Sequence, residues 1–180
     1  TAAVNFSWDN LTVYPRHVRK TDYLICWNKL LKDQAIQLHG YKENTVFVSG
    51  ATRFDAYFLA SENEVSREKF LKSKKLDPSK KTILYASKTQ GDFYKHFISS
   101  FIHWRDEGVI EDINLLVRLH PLDSMEDYKD FFDIPNVCIE YGGSLRQGSS
   151  ERGQKVEMSK EDHLNMKMTL KYSDLCVNIS

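Results

Sequence analysis

The sequence contains few cysteines and carries no net charge. Its 180 residues include three cysteines, each within an apolar run and none in C-x-x-C spacing. This pattern predicts buried free thiols in a reducing compartment rather than a disulfide framework. The 25 basic and 25 acidic side chains cancel, so the chain lacks the positive field that drives general binding to nucleic acids and anionic membranes.

Long apolar runs and common cofactor motifs are missing too. No run approaches the roughly 18 apolar residues that span a bilayer, and no secretory segment opens the chain. We therefore expect a cytoplasmic protein with at most peripheral contact at the inner face of the membrane. The dinucleotide pattern G-x-G-x-x-G and the P-loop pattern are absent. Histidines on predicted helices lack an i, i+4 partner, so no metal site is predicted.

What is present is an alternation of short apolar runs and amphipathic segments, in a globular composition of 41% hydrophobic and 28% charged residues. The predicted strands are 23–26, 45–49, 83–86, 114–119, 137–141 and 175–179, and the predicted helices are 29–39, 93–106, 124–132 and 159–172. The strand–helix–strand order with tight connections favours parallel strands. The sequence therefore predicts the α/β class, with Rossmann-type parallel sheets and flanking helices. The aromatic stripe of helix 93–106 is expected to be core.

A charged segment over residues 61–81 divides this alternation in two. Its few apolar residues indicate a helix followed by a linker, and its lysines are most simply explained as a solvated face. Residues 1–60 and 82–180 are then two α/β regions. Within the second region, the polar stretch 142–156 has four glycines and no apolar periodicity, which predicts a long loop.

Arg118 and His120 lie at the carboxyl end of predicted strand 114–119, where open parallel sheets place their ligand crevice. They alternate with Val117 and Leu119, so both project to one face and together suit a phosphate or diphosphate. A salt-bridged arginine and a hydrogen-bonded histidine at a strand end explain the same residues about equally well.

The loop that begins Ser87-Lys88-Thr89 also follows a predicted strand and precedes a predicted helix. It offers hydroxyls, backbone N–H groups and a helix N-terminus, where an anion is favoured. We expect Ser87, Lys88 and Thr89 to face the same crevice and to contact phosphate. A plain helix N-cap is the alternative.

The segment Ser7-Trp8-Asp9-Asn10-Leu11-Thr12 gathers hydrogen-bonding side chains around one tryptophan after an apolar start. Asp9 is a candidate general base, because a hydroxyl is too weak an acid to attack unassisted at neutral pH. A turn-forming Asp-Asn pair is the more common explanation of such a segment.

Five short motifs occur in an order typical of one family. They are S-W-D-N-L-T (7–12), D-Y-L-I-C-W (22–27), V-S-G-A-T-R-F-D (48–55), R-L-H-P (118–121) and Y-S-D-L-C-V-N-I-S (172–180). In this order they resemble bacterial surface-polysaccharide glycosyltransferases of the GT-B type, related to the CDP-glycerol glycerophosphotransferase and capsular or lipopolysaccharide transferase group. The resemblance covers nearly the whole chain.

The resemblance implies two Rossmann-like domains, with 1–60 on the acceptor side, a linker near 61–81, and 82–180 on the donor side. Arg118 and His120 would approach the phosphates of a nucleotide-sugar donor, and a turn beginning at Ser180 would cradle them with N–H groups. Most of that turn would lie beyond Ser180, so the chain alone is expected to lack a complete donor site. No metal and no cofactor are implied. The acceptor would be a carbohydrate or glycolipid hydroxyl that displaces the nucleoside phosphate.

Two other functions fit part of the same pattern. A nucleotide-sugar 2-epimerase shares the two-domain architecture and an H-P at a strand end, but it needs acid/base carboxylates, for which Asp9 is the only early candidate. A non-catalytic nucleotide- or carbohydrate-binding module is the third possibility. Nucleic-acid binding ranks last because the aromatic residues fall on amphipathic faces and not among clustered basic residues.

Overall fold

The computed structural model describes residues 1–5, 7–13, 19–59, 62–87, 91–120, 123–142, 144–146, 155–157 and 159–178. The chain divides into unit 1, Thr1–Leu59, and unit 2, Ala60–Ser180. Each unit contains a parallel sheet with helices packed against it, so the predicted α/β class is confirmed. In the described part of the chain, no helix is both long enough and apolar enough to cross a membrane.

Unit 1 is built on a three-stranded parallel sheet of order β1-β2-β3. Its elements are β1 (Ala2–Val4), α1 (Asn10–Val13), β2 (Tyr23–Cys26), α2 (Lys29–His39), a 3-10 helix (Glu43–Thr45), β3 (Val46–Val48) and a second 3-10 helix (Thr52–Tyr57). Leu24, Cys26 and Val46 form a buried cluster with the apolar side of α2. On the opposite side of the sheet, Tyr23 and Phe47 are each about half exposed.

Helix α2 begins and ends at capping residues that can be recognised in the sequence. The side chain of Asn28 accepts a hydrogen bond from the Leu31 N–H at 2.9 Å, which satisfies one of the free donors at the helix start. Gly40 ends the helix in the left-handed region, with φ 66°, a conformation that costs glycine little. Leu31, Ala35 and His39 recur at four-residue spacing and are the buried residues. The predicted helix 29–39 is confirmed.

Unit 2 is built on a four-stranded parallel sheet of order β6-β5-β4-β9. Its elements are α3 (Arg67–Ser73), β4 (Thr82–Ala86), α4 (Gly91–Asp106), β5 (Asn114–Leu119), a 3-10 helix (Met125–Phe131), β6 (Val137–Tyr141), β7 (Ser144–Arg146), β8 (Lys155–Glu157), α5 (Lys160–Tyr172) and β9 (Leu175–Asn178). Because β5 has all six residues buried, the sheet is covered on both faces, as parallel sheets require.

The two faces of this sheet carry different layers. On one face Tyr85 and Val117 belong to a core cluster with Ile98 and Phe101 of α4, and Tyr85 stacks on Phe97 at a centroid distance of 4.2 Å. The aromatic residues Phe97 and Phe101 are therefore core, as predicted, but Trp104 of the same stripe is 44% exposed, so the prediction is wrong for the end of the helix. The other face forms a second cluster with α3 and α5. Its buried members are Phe70, Leu71, Leu76, Leu84 and Leu116.

The helix predicted within 61–81 is present as α3, and its anchors Phe70 and Leu71 are almost completely buried in the core of unit 2. The assignment of this segment as a linker between two domains stays a prediction. One prediction about an irregular segment needs correction. The stretch 142–156 is not a loop throughout, because β7 pairs with β8 as an antiparallel hairpin.

The amino-terminal edge of the unit 2 sheet is closed by two polar side chains. Asn114 is fully buried. Its Nδ2 donates to the Asp77 carbonyl oxygen at 2.8 Å, and its Oδ1 accepts from the Asp77 N–H at 3.1 Å. Asp174 accepts the Thr82 N–H at 2.8 Å and lies 3.3 Å from Arg67 Nη2. These contacts bind the segment before β4 to β5 and β9.

Asn114→Ala is expected to destabilise unit 2 by roughly 2–4 kcal/mol, since it removes a fully buried side chain and takes both hydrogen-bond partners from the Asp77 backbone. Hydrogen exchange of the β4 and β5 amides measures this loss within the unit. Asn44→Ala, at an exposed position of unit 1, is the matched control and should leave those rates unchanged. Equal exchange in both variants would contradict the role given to Asn114.

Candidate functional site

The strand order of unit 2 defines where a ligand crevice lies. From β4 the chain runs outward through β5 to β6, and it then returns to β9 on the other side of β4. Open parallel sheets bind ligands beyond the carboxyl ends of their strands, at the point where the order reverses in this way. Here that point lies between Ala86 of β4 and Asn178 of β9, which stand opposite each other.

Ser87, the residue after β4, joins the carboxyl ends of β4 and β5. Its N–H donates to the Arg118 carbonyl oxygen at 2.9 Å. Its Oγ accepts the His120 N–H at 2.8 Å and donates to Asp123 Oδ2 at 3.0 Å. The hydroxyl proton of Ser87 is thus committed to a carboxylate, so this side chain holds the two strand ends together.

Asp123 is a member of this network that the sequence analysis does not identify. Its N–H donates to the His120 carbonyl oxygen at 2.9 Å, which closes a turn directly after β5. Its Oδ2 accepts the Tyr128 hydroxyl at 3.3 Å, and its carbonyl oxygen accepts the Tyr141 hydroxyl at 2.7 Å. The local pattern that could have pointed to Asp123 is the order His-Pro-x-Asp over residues 120–123, because proline is common in turns.

Two buried tyrosine hydroxyls near this turn, those of Tyr128 and Tyr85, stay protonated well above neutral pH. Burial, and then the charge of Asp123, raise the pKa of Tyr128. Burial also raises the pKa of Tyr85 to about 12. Tyr128 therefore keeps, at neutral pH, the proton that it donates to Asp123. We call Ser87, His120, Asp123, Tyr128 and Tyr141 the carboxyl-end network.

Arg118 is buried, with 5% of its surface exposed. Its Nη1 donates to the Tyr141 carbonyl oxygen at 3.2 Å, and its Nη2 donates to the Thr169 hydroxyl and, at 3.4 Å, to the Asn165 carbonyl oxygen. Its Nε lies 3.2 Å from Glu140 Oε1. The side chain thus ties β5 to β6 and α5, which is the salt-bridged alternative that the sequence leaves open. A contact of Arg118 with phosphate stays a prediction.

Glu140 lies between two cations. Besides Arg118, the Lys74 Nζ approaches Glu140 Oε2 at 2.5 Å. Two positive charges against one negative charge leave this cluster with a net charge of +1, behind the carboxyl ends of β5 and β6. Partly buried charges are weakly screened, so the cluster favours an anion in the crevice.

In unit 1, Asp9 lies in the segment that follows β1. Its carbonyl oxygen accepts the Val13 N–H at 2.9 Å at the start of α1, and its Oδ1 accepts the Ser7 hydroxyl at 2.5 Å. The neighbouring Trp8 is 71% exposed. These contacts are those of a helix-initiating turn, and the role of Asp9 as a base stays a prediction.

His39 fixes this segment, which sequence reasoning misses. It is 1% exposed on α2, and its Nε2 lies 2.7 Å from the Leu11 carbonyl oxygen. Since a carbonyl only accepts, Nε2 carries the proton and donates. Leu11 itself is buried in the unit 1 cluster. The histidine therefore holds α1 against α2.

Some predicted residues cannot be placed. Lys88, Thr89 and Ser180 lie outside the described residues, so their contacts with phosphate stay predictions. Within the described ranges, no group of three or more His, Cys, Asp or Glu side chains is arranged to hold a metal ion.

A parallel sheet with a crossover back to β9, and with the carboxyl-end network at the ends of β4, β5 and β6, is typical of an α/β protein of Rossmann-type, GT-B-like fold. The chain belongs to the CDP-glycerol:poly(glycerophosphate) glycerophosphotransferase family, whose sequence model matches residues 7–133. This confirms the suspected family group. The matched range includes Asp9, Ser87, Arg118, His120 and Asp123.

A solved structure shows the same fold. The chain resembles UDP-GlcNAc 2-epimerase from Methanocaldococcus jannaschii, with a TM-score of 0.53 and 19% sequence identity over 89% of this chain and 42% of the epimerase chain. This chain therefore spans less than half of that protein. At this identity the likeness shows the fold alone. No curated protein matches the sequence.

Arg118→Met is expected to destabilise unit 2 by roughly 2–4 kcal/mol, because it leaves Glu140 and the acceptors on α5 short of a partner. Urea unfolding followed by circular dichroism measures the change. Lys72→Met is the control, since Lys72 makes an exposed i, i+4 pair with Glu68 of the kind that contributes little. An Arg118→Met protein as stable as the control would show that Arg118 is not a structural tether.

The cysteines give a further test, and one of them corrects the prediction of buried thiols. Cys26 is buried and Cys138 half-buried, but Cys176 is exposed because β9 is an edge strand.

Burial, and then the charge of Glu140, raise the pKa of Cys138 to about 11. The thiolate is the reactive form, so iodoacetamide at pH 8 should label Cys176 at least tenfold faster than Cys138. Peptide mass spectrometry reads both sites, and equal labelling would contradict this placement of Cys138.

Proposed function

We propose that this chain is part of a transferase that moves a nucleotide-activated glycerophosphate or sugar unit to a hydroxyl of a bacterial surface polysaccharide or glycolipid, in the cytoplasm. The observation that carries the proposal is the family match over residues 7–133. The match covers the segment with Asp9 in unit 1 and, in unit 2, the strand ends with Ser87 and His120. The family name favours a CDP-activated donor and a poly(glycerophosphate) acceptor.

On the donor side, His120 is the side chain assigned to the phosphates. It follows β5 at the crevice and is only half-buried, whereas Arg118 is buried against protein acceptors. We assign Arg118 the role of a positive charge behind the crevice. Lys88, Thr89, Ser180 and the N–H groups at the start of the 16-residue helix α4 complete the proposed contacts, because a helix N-terminus favours phosphate.

Ser87 keeps its predicted place at the crevice but receives a different role. Its hydroxyl donates to Asp123 and accepts from the His120 N–H. We therefore assign it to holding the turn after β5, while the phosphate contacts of this loop fall to the residues that follow it.

The proposed reaction is a single displacement. The acceptor hydroxyl oxygen forms a bond to the phosphorus that carries the glycerol unit, the phosphoanhydride bond of the donor breaks, and CMP leaves with the bonding electrons. Asp9 takes the hydroxyl proton. For a sugar donor the bond forms at the anomeric carbon, and the nucleoside diphosphate leaves. Positive charge and N–H donors stabilise the charge that develops on the leaving phosphate, without a cofactor.

Nucleotide binding by the natural protein tests this proposal. A thermal-shift screen with CDP, CMP, UDP, GDP and ADP should show stabilisation by the cytidine nucleotides, since a ligand that binds the folded state raises its stability. His120→Ala should weaken CDP binding by roughly 10- to 100-fold, which is the effect of losing a hydrogen bond to a charged group.

His103→Ala is the matched control, because His103 is exposed in the last turn of α4, away from the carboxyl ends of the strands. It should bind CDP like the unchanged protein. The proposal fails if no nucleotide stabilises the protein, or if His120→Ala and His103→Ala bind CDP equally well. Transfer of labelled glycerophosphate from CDP-glycerol to a hydroxyl-bearing polymer then separates the two donor classes.

A further inference from the structure

We propose that Asp123 is the positioning residue that fixes His120 for the donor phosphates. The inference rests on the function proposed above and adds a residue to it. Both backbone hydrogen-bonding groups of His120 depend on Asp123. The His120 carbonyl oxygen accepts the Asp123 N–H at 2.9 Å, and the His120 N–H donates to Ser87 Oγ, which donates to Asp123 Oδ2.

The carboxylate orients Ser87, and through it His120. A serine hydroxyl has one proton and rotates freely unless an acceptor fixes it. With its proton directed to Asp123 at 3.0 Å, Ser87 presents a lone pair to the His120 N–H. Without the carboxylate the Ser87 hydroxyl is free to rotate, and its hydrogen bond with the His120 N–H weakens.

Asp123 is itself held in position by two tyrosine hydroxyls. Tyr128 is fully buried and donates to the same Oδ2 at 3.3 Å, while Tyr141 donates to the Asp123 carbonyl oxygen at 2.7 Å. Tyr141 also accepts the Met125 N–H at 2.9 Å. Contacts from the 3-10 helix Met125–Phe131 and from strand β6 therefore hold Asp123 in position. Asp123 in turn holds His120 through Ser87. Supporting contacts of this kind decide how well a binding group is held.

This arrangement assigns Asp123 to positioning and not to proton transfer. One carboxylate oxygen, Oδ2, accepts two hydroxyl protons from within the protein. An asparagine retains an acceptor oxygen at this place but has no charge and cannot take up a proton. The conservative variant Asp123→Asn therefore separates the two roles.

The test combines two measurements on Asp123→Ala, Asp123→Asn and Ser87→Ala in the natural protein. Hydrogen exchange reports the His120 amide, and calorimetry reports CDP affinity. Loss of one hydrogen bond in such a site changes an equilibrium by about tenfold. We expect Asp123→Ala to speed exchange of the His120 amide and to weaken CDP binding by about that factor. Asp123→Asn should restore most of both losses.

Ser87→Ala should reproduce the effect of Asp123→Ala, because it removes the acceptor of the His120 N–H. The double variant should then lose little more than either single variant, since both act through one chain of contacts. Asp130→Ala, exposed on the same 3-10 helix, is the matched control. The amides of Leu115 and Leu116, in the middle of β5, serve as an internal reference for unfolding of unit 2 as a whole.

Three results would overturn the inference. One is an unchanged His120 exchange rate in Asp123→Ala, whether or not nucleotide binds. Another is normal CDP affinity in Asp123→Ala when His120→Ala has lost it, which would leave the proposed function intact. The last is a failure of Asp123→Asn to restore binding, which would mark Asp123 as a group whose charge is needed. If no nucleotide binds the unchanged protein, the proposed function fails, and the exchange rate alone decides the role of Asp123.

Discussion

Strand β4 is the constraint on which unit 2 depends, because it is paired on both edges and covered on both faces. Its partners are β5 and β9, and Leu84 and Tyr85 are buried in opposite core clusters. A strand in this position cannot shift without breaking two ladders. Asn114 and Asp174 close its amino-terminal end and Ser87 its carboxyl-terminal end. The crevice therefore opens beside the most firmly held element of the unit.

Charge is balanced over the whole chain, but it is not balanced locally. Arg118, Glu140 and Lys74 form a cluster on one face of the sheet, and all three are paired within the protein. Such a cluster has two effects. It joins β5, β6 and the segment after α3, and its excess positive charge extends toward the carboxyl ends of the strands, where screening by solvent is weak. Under the proposed function, Arg118 would thus act on a phosphate as a positive charge held behind the crevice.

Much of the fold follows from local sequence, whereas the contacts of the site do not. Helix 29–39 and strand 114–119 are correct because their signals, the cap at Gly40 and the continuous apolar run, lie within the elements. The sequence also places Arg118 at a strand end. The direction of its side chain depends on Glu140 and Thr169, which are distant along the chain, so no local pattern chooses between a ligand contact and a tether.

Asp123 is missed for the same reason, since its partners Ser87 and Tyr128 lie on other elements and nothing in the order of residues joins them. By contrast, the helix predicted within 61–81 is present as α3, with its anchors Phe70 and Leu71 buried. Family resemblance reaches further than residue patterns here, because the order of the motifs along the chain points to the family whose model matches the sequence.

The burial of Arg118 has a consequence for genetics. A substitution there removes a tether between three elements, so the mutant polypeptide reaches the cell's proteases in a partly opened form. A phenotypic screen would then register a loss at codon 118 whether or not its side chain contacts a ligand, because the change lowers the amount of folded protein. Only measurement of steady-state protein level beside the phenotype separates a residue that builds the crevice from one that works in it.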